Sequence, residues 1–202
     1  PPRPLVPTRA HGLNEDLFAA ILLREGAGAV GPDLAALYLG HEMGLRSLGP
    51  VWSRPTVFGH GVPFAFPATP DIGPGLTEAG RDLVRLCNEL GILIDLSHLN
   101  EAGFDDVATL SDAPLVATHS NAHAIAPSSR NLTDRQLAMI RDSDGMVGVN
   151  FAVGFLSPDG RKEGSAGFDT ILRPLAPPTP QPAAARLASN PCFATTRRPA
   201  TP

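Results

Sequence analysis

The chain has 202 residues, 43% of them hydrophobic, and a formal net charge of −4, which is enough for one sizeable core or a large piece of one. No apolar run approaches the roughly 18 residues of a membrane span, and the opening PPRPLVPTRAHG lacks the charged-then-apolar order of a signal peptide. Mild acidity without a basic cluster argues against nucleic acid as a partner, and two cysteines, Cys87 and Cys192, are too few for a disulfide framework and point to a reducing, cytoplasmic setting.

Residues 1–16 are proline-punctuated and aperiodic, and read as an irregular N-terminal segment. LFAAILL, residues 17–23, reads as a buried strand that places Glu25 just past its end; a solvated surface carboxylate is the plain alternative. A helix pattern follows from Pro32 to about Met43, with Leu34, Leu37 and Tyr38 on one face, His41 at the surface and Gly44 as its stop. LRSLGPVW, from Leu45, is the next strand. Residues 53–75 form a long Gly- and Pro-rich loop whose Phe58, Phe64 and Phe66 argue for a packed lid.

Thr77, Glu78 and Asp82 open a second helix, and Leu83, Val84, Leu86, Cys87 and Leu90 carry it to Gly91. ILIDLSH and PLVATHS then read as two strands flanking a helix that begins near Asn100 and Glu101, which is a βαβ unit. Thr133 and Asp134 cap a further helix, and MVGVNF, from Met146, is a fifth strand candidate. From Pro174 the chain has no acidic residue and no apolar periodicity, so residues 173–202 read as a disordered tail. The whole is α/β in class, with residues 17–172 alternating strand and helix but offering too few strands to close an eight-stranded barrel.

Both apolar runs of the βαβ unit end in histidine, His98 and His119. Parallel strands point their carboxyl ends to one rim, where barrels gather catalytic groups, so the two imidazoles can meet. By two-residue alternation Ile94, Leu96 and His98 share one side, as do Leu115, Ala117 and His119. Asp95 and Ser97 fall on the opposite side, either to orient neighbouring groups or as structural hydrogen-bonding residues. His123 reads as an exposed or capping residue, and Asn121 and Asn131 either contact a ligand at the rim or cap loops.

The segments GLTEAGRDLVRLCNELGILIDLSHLNEAGFDDV, PLVATHSNAHAIAPSSRNLTDRQLAMI and GMVGVNF occur in the order found in the membrane (renal-type) dipeptidases, the M19 metallopeptidases. The chain closely resembles that family over most of residues 17–172. The resemblance implies a (β/α)8 TIM-barrel-like metallo-hydrolase with two zinc ions that hydrolyses dipeptides by metal-activated water. By similarity His98 and His119 would be zinc ligands. Glu25 would be the bridging carboxylate and the catalytic residue of the set. Arg130 would hold the substrate's free carboxylate, with His60 and Asn131 beside the substrate. Imidazoles and a carboxylate suit zinc, and the planar guanidinium fork matches a carboxylate.

Three features depart from the family pattern. His11, in HGLN, has no Asp two residues on, where a His-x-Asp pair is expected; the late-strand GSDFDG-like segment is absent; and a usual histidine is replaced around Val51 and Trp52, leaving His60 to approach that space. These losses read as truncation or a shifted reading frame, with at most one zinc site retained. An active dipeptidase and a catalytically incompetent remnant binding one metal both follow from this pattern, with another amidohydrolase-like barrel as a third reading. Association into homo-oligomers through uncovered strand edges is a further expectation.

Overall fold

The computed structural model describes residues 20–161 together with the backbone of Arg186–Ala188. Strand and helix alternate as expected: β1 Leu22–Arg24, α1 Ala35–Glu42, β2 Leu45–Leu48, α2 Glu78–Leu90, β3 Leu93–Ile94, α3 Glu101–Leu110, β4 Val116–Ala117, α4 Asp134–Asp142, β5 Met146–Gly148 and β6 Arg186–Ala188. The strands pair in parallel in the orders β1-β2-β3 and β4-β5-β6. A parallel bridge between Asp95 and Val116, with the Leu96 N–H donating to the Val116 carbonyl at 2.9 Å, joins the two sets. Strands β1 to β5 thus follow one another in chain order with a helix between each pair, and β6 pairs beside β5, the arrangement of a (β/α) barrel wall. β6 falls within the segment whose composition reads as a tail; the rest of that segment, and residues 1–19, lie outside the described residues.

Helix ends follow local chemistry. The Thr77 hydroxyl accepts from the Gly80 N–H at 3.1 Å to start α2, and Gly91, at φ +67°, ends it. Asn100 caps α3 through Gly103 at 3.1 Å, and Thr133 with Gln136 forms a reciprocal capping box on α4. Helix α1 differs from its expected phase. Leu34 adopts φ +58° and stays outside the helix, so Leu37 is buried while Tyr38 is exposed.

The core runs between the strands and the inner faces of α2, α3 and α4, with Phe58, Leu83, Val84, Leu96, Phe104, Val107 and Ile140 fully or nearly fully buried. Full burial of each such side chain stabilises by about 1.5–3 kcal/mol. From Ile94 of β3 through His98 both alternating sets are buried, Ile94, Leu96 and His98 as well as Asp95 and Ser97, as expected for a parallel strand and its continuation covered on both faces.

The ladders are shorter than the apolar runs because side chains take over the hydrogen bonding. Asp95 Oδ1 accepts from the backbone N–H of Ser97 at 3.0 Å and of Thr118 at 2.9 Å. A carboxylate therefore stands where a strand carbonyl would just past the ends of both strands. Strand β5 comes close to this point: a Cβ on Gly148 would lie 1.9 Å from the Thr118 carbonyl oxygen, so only glycine fits there.

Candidate metal centre

The rim holds three donor atoms at one point. Glu25 Oε1 lies 2.8 Å from His98 Nε2 and 2.9 Å from His119 Nε2, and the two Nε2 atoms are 3.0 Å apart. They are the one group of three such side chains that can share a cation among the described residues. A tetrahedral zinc ion with ligands at about 2.0–2.2 Å sets them about 3.3–3.6 Å apart, so the three donors need move apart by only a few tenths of an ångström, and their chemistry fits a divalent cation.

His98 is held in place from several sides. Its backbone has φ +71°, a left-handed conformation that costs a non-glycine residue energy and is kept only where the surroundings impose it. Its Nδ1 meets the Ser53 hydroxyl at 2.8 Å. Burial, with contributions from Arg130 and His119, lowers its pKa to about 2. The ring is therefore neutral at physiological pH and its contact with Glu25 is not an ion pair. A neutral imidazole is the form that binds metal.

His119 is fixed through its neighbours. Its Nδ1 meets the Thr118 hydroxyl at 2.8 Å, that hydroxyl donates to Asp95 Oδ2 at 2.6 Å, and the His119 N–H donates to the Ser97 hydroxyl at 3.0 Å. Asp95 and Ser97 thus do orient a neighbour, although they sit across the strand from His98 in the alternation.

Arg130 lies beside the centre, 3% exposed, with Nη2 donating to the His119 carbonyl at 3.2 Å and its guanidinium carbon 5.8 Å from the Phe155 ring centroid. Burial lowers its pKa to about 10, against the opposing pull of Asp95 and Glu25, so it remains a cation at neutral pH. Its Nε is buried without a hydrogen-bond partner, which leaves a charged donor ready for an acceptor group.

His60 and Asn131 each have partners within the loops. The His60 ring packs against Gly73 within its own loop and is not one of the three convergent side chains. Asn131 is 2% exposed, and its amide donates to the Ala126 carbonyl at 2.8 Å and the Phe155 carbonyl at 2.9 Å, so it braces the loops. Asn121 braces as well, donating to the Asn150 carbonyl at 2.8 Å.

The loop of residues 53–75 does lie over the rim. It is fastened by the Ala68 N–H to the Pro127 carbonyl at 2.9 Å, and by Asn100 to the carbonyls of Ile72 and Pro74. Of its aromatics, Phe58 is fully buried, while Phe64 stands edge-on to His98 at 6.1 Å between centroids. Trp52 packs at 5.8 Å from His98, and Phe155 stacks on Phe64 at 5.9 Å. Sequence reasoning missed Ser53, Thr118, Trp52 and Phe155. The one signal available was the hydroxyl residue directly before His119.

Residues 9–186 match the family model described as membrane dipeptidase (peptidase family M19). The chain is 71% identical to a solved metallopeptidase of Rhodobacter sphaeroides liganded with a phosphinate mimic of the dipeptide L-Ala-D-Ala, with a TM-score of 0.74 over 76% of this chain and 44% of that one. It is 48% identical to an uncharacterised protein of Acinetobacter calcoaceticus, over 80% of this chain and 51% of that protein. It is 30% identical to the dipeptidase tcpJ of Claviceps purpurea, over 71% of this chain and 33% of that protein. The chain spans about half the length of the first of these curated relatives. With strand order, rim geometry and the match over residues 9–186 in agreement, the chain belongs to the membrane dipeptidase family, peptidase family M19, and has its TIM-barrel-like α/β fold.

Proposed function

We propose that this chain carries the zinc-binding and carboxylate-binding parts of a dipeptidase site, acting on dipeptides that include those with a D-residue at the carboxyl side. The observation that carries the reading is the meeting of Glu25, His98 and His119 within 3.0 Å beside a buried arginine with an unpartnered Nε. A divalent cation, when bound, supplies Lewis-acid polarisation of the scissile carbonyl and lowers the pKa of an attacking water.

The chain's own residues do the rest. His98 and His119 would hold the cation at Nε2, and Glu25, whose side chain is 40% exposed, would hold it at Oε1 and offer its other oxygen to a proton. Arg130 receives the peptide's terminal carboxylate, which favours short peptides with a free C-terminus. Trp52 and Phe64 screen His98 from solvent. The ligand of the Rhodobacter metallopeptidase, a mimic of L-Ala-D-Ala, supports that dipeptide as the first substrate to assay.

Hydrolysis of L-Ala-D-Ala by the purified full chain, with and without added zinc, tests the proposal. Zinc-dependent turnover is the expected result, and Arg130→Ala should then raise KM by about 100-fold while changing kcat less. An unchanged KM would remove the carboxylate-binding role. Zinc binding without turnover would favour the alternative of a chain that holds one metal but does not catalyse.

A further inference from the structure

The two imidazoles differ in what stands behind them. His98 Nδ1 faces the Ser53 hydroxyl, a group free to donate or to accept. His119 Nδ1 faces the Thr118 hydroxyl at 2.8 Å, and that hydroxyl lies 2.6 Å from Asp95 Oδ2. A hydroxyl has one proton, and a carboxylate at neutral pH only accepts. The Thr118 proton therefore points at Asp95, so the Thr118 oxygen must accept from His119 Nδ1–H. The Nε2 lone pair of His119 is then left facing Glu25 and His98. Asp95 Oδ2 is itself 3.8 Å from His119 Nδ1, too far for a direct bond. Asp95 is 1% exposed and locked by two backbone N–H groups on Oδ1, so it has no freedom to turn away.

We infer that Asp95, acting through Thr118, is a positioning residue that fixes His119 as the Nδ1–H tautomer with Nε2 free for a cation. The cation's place rests on the functional reading above; the tautomer does not. Outer partners of this kind set ring orientation and tautomer, and losing one lowers metal affinity by about 10–100-fold.

Asp95→Asn is the informative variant. Its carbonyl still accepts the two backbone N–H groups, but its amide donates to the Thr118 hydroxyl. That hydroxyl must then donate to His119 Nδ1, and the ring proton moves to Nε2. The experiment combines 15N NMR of the histidines in the metal-free full chain, at mildly alkaline pH, with cobalt(II) titration followed by visible absorption. Wild type should show Nδ1–H at His119, and Asp95→Asn should show Nε2–H with cobalt affinity about 10–100-fold weaker.

Should Asp95→Asn fail to fold, Thr118→Ser should keep the wild-type tautomer and affinity while Thr118→Val loses affinity. Nε2–H at His119 in wild type, or equal cobalt affinity in Thr118→Ser and Thr118→Val, would overturn the relay. A wild-type chain that ignores cobalt, yet has the Nδ1–H tautomer and loses it in Asp95→Asn, would uphold the relay and remove the metal reading instead.

Discussion

Strand β1 and the pair β3 and β4 deliver donor atoms to the same point from different surroundings. All three residues of β1 are exposed, its register against β2 shifts between Leu22 and Leu23, and the carboxylate of Glu25, just past its end, meets the two imidazoles. His98 and His119 instead follow strands buried on both faces, and each ring has a hydroxyl partner behind it. The difference is one of support: neighbouring side chains brace the imidazole half of the centre. The carboxylate half has no such hydroxyl behind it among the described residues.

That contrast can be broken by substitutions of matched size, starting with the largest effect. Leu96→Ala, at a 1% exposed site two residues before His98, should lower unfolding free energy by about 2–5 kcal/mol in urea titrations. His119→Ala should weaken cobalt affinity by about 100-fold or more while the far-ultraviolet spectrum stays that of the wild type; equal affinity would show that the imidazole wall does not hold the cation.

A third prediction uses Cys87, on the buried side of α2, as a reporter of the same wall. Burial raises its thiol pKa from 9.0 to about 12. Between those values the unfolded chain loses a proton that the folded chain keeps, so stability is full below pH 9 and falls as pH rises, by up to about 1.4 kcal/mol per pH unit. Cys87→Ala should remove that alkaline decline; a slope identical to wild type would contradict it. The smallest effect is expected at the exposed edge, where Leu22→Ala should change stability by no more than about 0.5 kcal/mol. A loss there comparable with that of Leu96→Ala would erase the contrast.

The strand-end histidines, the helix stops at Gly91 and the cap at Thr133 were legible in the sequence, because each depends on local chemistry that a few neighbouring residues declare. The lengths of the strands were not. The apolar runs ILIDLSH and PLVATHS continue through buried turns, so composition cannot mark where Asp95 replaces the ladder. The left-handed backbone at His98 breaks the two-residue alternation, and so the side of the strand was a poor guide to Asp95 and Ser97, which reach His119 by way of the next strand. Trp52, Ser53 and Phe155 come to the rim from loops distant in the chain, and no periodicity encodes that.

The central claim is that Glu25, His98 and His119 share one cation, and zinc-edge anomalous diffraction from crystals grown with zinc tests it most directly. A shared cation gives a peak about 2.0–2.2 Å from Glu25 Oε1, His98 Nε2 and His119 Nε2 together. A zinc peak bound elsewhere on the chain, with these three atoms still in contact and no density between them, would contradict it.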